Sequence, residues 1–396
     1  MNSASSFKSS RLDVVDALRG FAVMAILLVH SLEHFLFFVY PDPQTLPGWL
    51  NALNAGSFTV IFSLFAGKSY AIFALLFGLT YFIQFNNQQF RQKDFAWRFL
   101  WRLLLLVGFA TLNAIFFPGG DVLLLFSIVG IVLILVRKWS DKAVLILAVV
   151  LLCQPVEWFY YFRSLCDASY VLPQQMNGAL YGVVGEAVNS GNILKALWVN
   201  ITTGQAASLL WAIENGRFLQ TAGLFLLGFL LGRRRLFETN DRNYKFWTTA
   251  LIWGAILFGP LYALKVDLYD RCEVATIKQT VGVVLDMWQK FAFTVVLVAS
   301  FVILYQKVSF QKLTDNLRWY GRMSLTNYIG QSVLGAIFFS PFGLYASPYW
   351  GYFMSALLGI CLFLIQVKFC KWWLQGHKQG PLEALWHKLT WIKTDK

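Results

Sequence analysis

Arg19 and His30 stand eleven residues apart in the run LRGFAVMAILLVHSLEH at 18–34. At about 100° per residue, eleven steps come close to three turns, so a helix puts both side chains on one face, roughly 16 Å apart. That is about half the hydrocarbon thickness of a bilayer, and a helix entering at Arg19 carries His30 to the midplane. An ionisable group at that depth points to function. An imidazole suits a general base or a proton relay, and a guanidinium suits phosphate. His30, Glu33 and His34 form the candidate catalytic group, the two histidines being four apart on one face. No HExxH motif or Cys partner accompanies them, so no metal is expected.

Other polar residues interrupt apolar runs. Arg98 and Arg102 lie one turn apart at the start of a helix, and Arg322 opens another. With Arg19 they could make a basic mouth for the phosphates of a donor, although arginines at helix ends also act as snorkelling anchors. Lys68, Asn113, Asp121, Glu214 and Arg217 fall near the opposite ends of their helices and could ring a polar vestibule for an acceptor. Asp121, after Pro118-Gly119-Gly120, also fits the charge preferred at a helix N-terminus.

Long apolar elements must position these groups. Of the 396 residues, 58% are hydrophobic and 13% charged, against about a quarter charged in soluble domains. The net charge of +13 is spread in short Lys/Arg groups between apolar runs, which fits membrane topology and argues against nucleic acid as a partner. Segments at 15–39, 69–87, 98–117, 120–137, 142–163, 206–232, 245–265, 279–305, 321–340 and 348–370 predict an all-α, polytopic membrane bundle of ten helices. The first is too long for a signal h-region and is expected to stay in place. Basic groups recur in every second loop: Lys8 and Arg11, Arg91 and Lys93, Arg137 to Lys142, Arg233 to Arg235, Lys307 to Arg318, then Lys371 and Lys378. This predicts cytoplasmic termini. Loops 40–57 and 164–204 are expected outside, the second with short surface helices, and 371–396 as a cytoplasmic tail. No repeat divides the chain, so residues 1–396 read as a single domain. Of five cysteines, Cys166 and Cys272 fall in outer loops, where a bridge and two separate thiols are both open.

The pattern Leu12-Asp13…Leu18-Arg19-Gly20…His30 is similar to the Arg-x10-His signature of acyltransferase-3-type membrane enzymes. More of the chain resembles the DUF418/YeiB family, within the same broad transmembrane acyltransferase group. The residues that carry this are Leu75-Leu76-Phe77-Gly78, the run from Arg102 through Asn113 to Gly120-Asp121-Val122-Leu123, Gly321-Arg322-Met323-Ser324-Leu325-Thr326-Asn327-Tyr328, and Gly380-Pro381-Leu382-Glu383 with Leu389-Thr390. YeiB-like sequences typically carry Asn at the position of His30 and His where this chain has Asn113. The His brings this chain closer to acyltransferase-3, whose Arg and His serve the acyl donor and catalysis. Resemblance to the heparan-α-glucosaminide N-acetyltransferase branch implies cytosolic acetyl-CoA and an acceptor across the membrane.

The expectation is therefore a multi-pass protein of the bacterial inner membrane that moves an acyl group from acyl-CoA, in the first instance acetyl-CoA, to a cell-envelope glycan or lipid-linked acceptor. Membrane lipids are its surroundings, and a homodimer is left open. The alternatives are a transporter of a small anionic solute or lipid, with His30, Glu33 and His34 as proton relay, and a non-catalytic membrane sensor.

Overall fold

The computed structural model describes residues 12–392 apart from 38, 93, 120–121 and 168, so Asp121 lies outside the described residues. Among them the structure is helical throughout: α1 (Asp13–Leu32), α2 (Gly48–Phe65), α3 (Lys68–Gln89), α4 (Ala96–Phe116), α5 (Val122–Val129), α6 (Ile131–Val136), α7 (Asp141–Leu152), α8 (Pro155–Cys166), α9 (Asn177–Asn189), α10 (Ile193–Val199), α11 (Gln205–Glu214), α12 (Arg217–Arg233), α13 (Asp241–Arg271), α14 (Ala275–Leu304), α15 (Val308–Leu313), α16 (Asp315–Gly321), α17 (Ser324–Phe339), α18 (Tyr352–Gly376) and α19 (Pro381–Thr390).

Helix occurs within every segment expected to be one, but fewer of these are continuous spans. Among the described residues, six stretches are long and apolar enough to cross a membrane: α1, α2 with α3, α4, α13, α14 and α18. A seventh appears if α7 and α8, bent by 48° at the left-handed Gln154, count together. The expected spans 120–137 and 206–232 are each two helices, broken at Gly130 and at Asn215-Gly216. The region 40–57, expected as an outer loop, instead contains the start of α2. Its Gly, Asn and Ser residues hid a helix that buries only Asn54. The expected tail at 371–396 begins with the last turns of α18 and then forms α19.

The outer faces explain the medium. In α13 only Asn243, Trp247 and Gly254 are buried, while Ile252, Trp253, Ile256, Leu257 and Tyr262 are each at least half exposed. A 31-residue helix this apolar on its free faces fits lipid and would be an aggregation liability in water. Inside, backbones approach through glycine. A Cβ on Gly20 or Gly321 would run into the facing backbone at the crossing of α1 and α16, and Gly78 and Gly228 do the same for α3 and α12. Small residues at helix crossings are the usual route to close packing in membranes.

The start of α1 carries Asp13 and Asp16 in its first turn, where they complement the helix dipole. Its end comes earlier than the apolar run suggests. His34, Phe35 and Leu36 have φ of 49°, 51° and 67°, which turns the chain back against α17. His34 therefore does not share the helical face of His30.

Candidate functional site

Two cavities lie at opposite ends of α1. The first, about 570 Å³, is lined by Arg19, Arg102 and Arg322 together with Asp16, Glu383 and His387. Arg19 donates to Asp16 Oδ1 at 2.9 Å and to Thr80 Oγ1 at 3.1 Å. The Arg102 guanidinium lies 4.2 Å from the ring centre of Trp386 and donates to Thr390 Oγ1 at 3.3 Å, and Arg322 covers Trp319 at 5.0 Å. Helix α19 closes this end. Its Glu383 accepts from the Leu325 and Thr326 amides at 2.7 and 3.1 Å and from the Thr326 hydroxyl at 2.6 Å. One carboxylate so satisfies the first turn of α17, whose N-terminus has no cap of its own. Burial lifts the Glu383 carboxyl above the usual carboxylate range despite those hydrogen bonds, and burial beside Arg102 lowers His387.

The second cavity, about 500 Å³, is lined by His30, Glu33, Tyr181, Arg217 and Lys290, with Gly67 and Tyr70. His30 packs its ring 4.7 Å from Phe117, and its Nδ1 has no hydrogen-bond partner among the described residues. Arg217 opens α12 after Gly216, and its guanidinium is held by Gln220 Oε1 at 2.9 Å between the rings of Tyr70 and Trp211. Lys290 pairs with Asp286 at 2.6 Å, and Lys265 reaches the other oxygen of the same carboxylate at 2.6 Å.

The shared helix face set by the spacing of eleven predicts one cleft for Arg19 and His30, but the two line different cavities. A layer of rings separates them. Tyr328 lines the Arg19 cavity and lies 6.3 Å from His30; Phe126 lines it too and lies 5.8 Å from Tyr70, which lines the other. The bundle filled the space along α1 with aromatic side chains from α3, α5 and α17, none of which one helix's periodicity can report.

Several expected site residues have other work. Arg98 donates to Thr390 O at 2.8 Å and covers Trp391, which ties down the end of α19 outside the cavity lining. His34 is fully buried between Tyr40 and Phe339, with Nδ1 2.7 Å from Val39 O, outside the lining of either cavity. Glu214 accepts from the Met176 amide at 2.7 Å and from Asn177, so it caps α9. Asn113 is fully buried within α4, outside the lining of either cavity. Lys68, at the first position of α3, donates to Ser63 O at 2.8 Å and is outside the lining of either cavity. All five cysteines are unbridged, Cys166 and Cys272 included. Sequence reasoning missed Lys265, Asp286 and Lys290, although charges inside the apolar runs 245–265 and 279–305 were the signal that could have found them.

The fold and the paired cavities define an all-helical, multi-pass membrane protein with a polar chamber at each end of its first helix. Residues 231–393 match the family described as "Protein of unknown function (DUF418)". The chain is 25% identical to "Uncharacterized protein YxaH" of Bacillus subtilis (strain 168), over 97% of this chain and 95% of that one. It is 26% identical to "Uncharacterized protein YeiB" of Escherichia coli (strain K12), over 95% of each. The family match covers Arg322 and Glu383, whereas Arg19 and His30 lie outside it. No solved structure matches.

Proposed function

We propose that this protein is a membrane-bound acyltransferase of the bacterial inner membrane, with both termini in the cytoplasm and acyl-CoA entering the Arg19 cavity from that side. The observation that carries the proposal is that Tyr328, in the wall of the Arg19 chamber, lies 6.3 Å from His30 of the other chamber, so that only a layer of rings stands between the donor and acceptor sides. Arg19, Arg102 and Arg322 hold the phosphates of the donor, with little bulk water to screen them. The acyl chain passes Tyr328, and the acceptor comes from the chamber of Glu33 and Arg217. His30 Nδ1 takes the proton of an acceptor hydroxyl or amine, the acceptor atom forms a bond to the thioester carbonyl carbon, and the C–S bond breaks. The proton then passes to the CoA thiolate. A neutral imidazole is suited to this base role. An acetyl group on an envelope glycan or lipid-linked sugar is the expected product.

The test is acyl-CoA binding and CoA release by full-length protein in vesicles. Binding lost in Arg19→Ala and transfer lost in His30→Ala support the assignment; full turnover in His30→Ala overturns it. A transporter is the second reading, favoured by the helix breaks at Gly67 and Gly216 beside one chamber. Uptake of an anion without any CoA release would establish it instead.

A further inference from the structure

We infer that the His30 chamber holds a phosphate group, carried by the molecule that fills the rest of the cavity. This rests on the assignment of that chamber as the acceptor side and names the acceptor's chemical class, a phosphate ester.

Three independent features converge on one spot. Two helices of 22 and 17 residues, α3 and α12, begin there. Each starts after a glycine in the left-handed region, Gly67 at φ 76° and Gly216 at φ 62°, and neither has a side-chain cap. Their first-turn amides keep donor capacity and the positive end of the dipole for something else. The two starts touch: an added Cβ on Gly67 would meet Lys290 Cδ, and Arg217 Nη2 lies 3.6 Å from that point.

The second feature is Arg217 itself. It is 93% buried, being 7% exposed, lines the cavity, and its Nε has no partner among the described residues. Burying a guanidinium with an unused donor is costly unless a ligand takes it. Its known contacts are the amide oxygen of Gln220 and two aromatic faces, which orient it without neutralising it.

Charge balance is the third. Lys68, Lys265, Lys290 and Arg217 lie within electrostatic reach of one another. Asp286 is the carboxylate among them, and Glu33 stands on another part of the wall. Four cations against two carboxylates leave two positive charges. A carboxylate ligand offsets one, whereas a phosphate ester carries about −1.5 to −2 and has three acceptor oxygens. The planar fork of Arg217 and the two sets of first-turn amides match that oxygen array. The cavity of about 500 Å³ is far larger than a phosphate, so the remainder of the ligand lies toward His30 and Glu33.

The test is equilibrium binding of labelled inorganic pyrophosphate to purified full-length protein in detergent, in an Arg19→Ala background that weakens the other basic chamber. Arg217→Gln and Lys290→Gln should each weaken binding by about tenfold or more, the value of one hydrogen bond between charged groups. Lys290→Gln leaves α12 untouched and keeps the test open if Arg217→Gln does not fold. Phosphatidylcholine vesicles containing a polyisoprenyl phosphate form a second arm. If they displace pyrophosphate, the phosphate belongs to a lipid headgroup; if they do not, while Arg217-dependent binding persists, it belongs to a soluble ester. Pyrophosphate binding that is absent, or equal in all three proteins, overturns the inference. Failure of acyl transfer with Arg217-dependent binding intact overturns the acyltransferase assignment and leaves the phosphate site standing.

Discussion

At the Arg19 end, each arginine of the cavity rests on a local support: Arg19 on Asp16 and Thr80, Arg102 on Trp386, Arg322 on Trp319. At the His30 end, Arg217 and Lys290 emerge from helices that break or carry charge in mid-bundle, and two lysines share one aspartate. The first chamber is assembled from helix ends and closed by α19, a segment from the far end of the chain. The second is made by interrupting spans at left-handed glycines. Charge near helix ends can be shared with water and counterions, whereas charge inside the bundle must be met by fixed groups or by a ligand. The same residue type therefore has different meanings at the two ends.

The largest effects should separate the ends functionally. His30→Ala is expected to slow transfer by about 10²–10⁴-fold, the usual worth of a general base, with acyl-CoA affinity nearly unchanged. Arg19→Ala should do the reverse. Single-turnover rates set against donor binding distinguish the two, and equal losses of both quantities in both variants would break the division between chambers.

Packing comes next. Gly321→Val drives a branched side chain into the Asp16 and Gly20 backbone that walls the Arg19 chamber, and should cost about 1–3 kcal/mol or more. A lower melting temperature with donor binding lost before phosphate binding would place the damage at that end.

A smaller effect should be visible in pH. Burial raises Glu383, so the folded state holds its proton more tightly than the unfolded chain does. The stability this group contributes is complete below the ordinary carboxylate range and is lost as pH rises through the raised value. Hydrogen exchange in α19 should accelerate across that interval, and Glu383→Gln should flatten the dependence. A wild-type profile that is flat or of opposite slope would contradict this.

The smallest effect tests a residue that the sequence placed at the wrong task. Glu214→Gln should cost about 1 kcal/mol, as the loss of a helix cap does, and leave ligand affinity unchanged. Arg217→Gln, three residues on, should change affinity. If Glu214→Gln also weakens pyrophosphate binding, the chamber extends farther than the lining residues indicate.

Much of this was legible in the sequence for definite reasons. The Arg19 face of α1 follows from a spacing of eleven, and the arginines at 102 and 322 were expected beside it. The blocks containing Thr326 and Glu383 stood out as motifs, but their meaning lies between them. Glu383 caps α17 from 57 and 58 positions away in the sequence, and no local pattern encodes that pairing. His34 was misread because nothing in His34-Phe35-Leu36 is a helix breaker. Stacking on Phe339 and a hydrogen bond to Val39 draw it out of the helix.

The sequence by itself determined the medium, the helical class and the places where polar groups interrupt the apolar runs, because hydrophobic length and charge position are local quantities that lipid and water sort directly. Tertiary structure alone decided that Arg19 and His30 face separate chambers, that Arg98 and Glu214 hold helix ends, and that Lys265, Asp286 and Lys290 join Arg217. Those outcomes depend on which helices cross at glycines and which aromatic rings fill the gap between them. Close packing sets both, and it is a property of pairs of surfaces that no single helix carries.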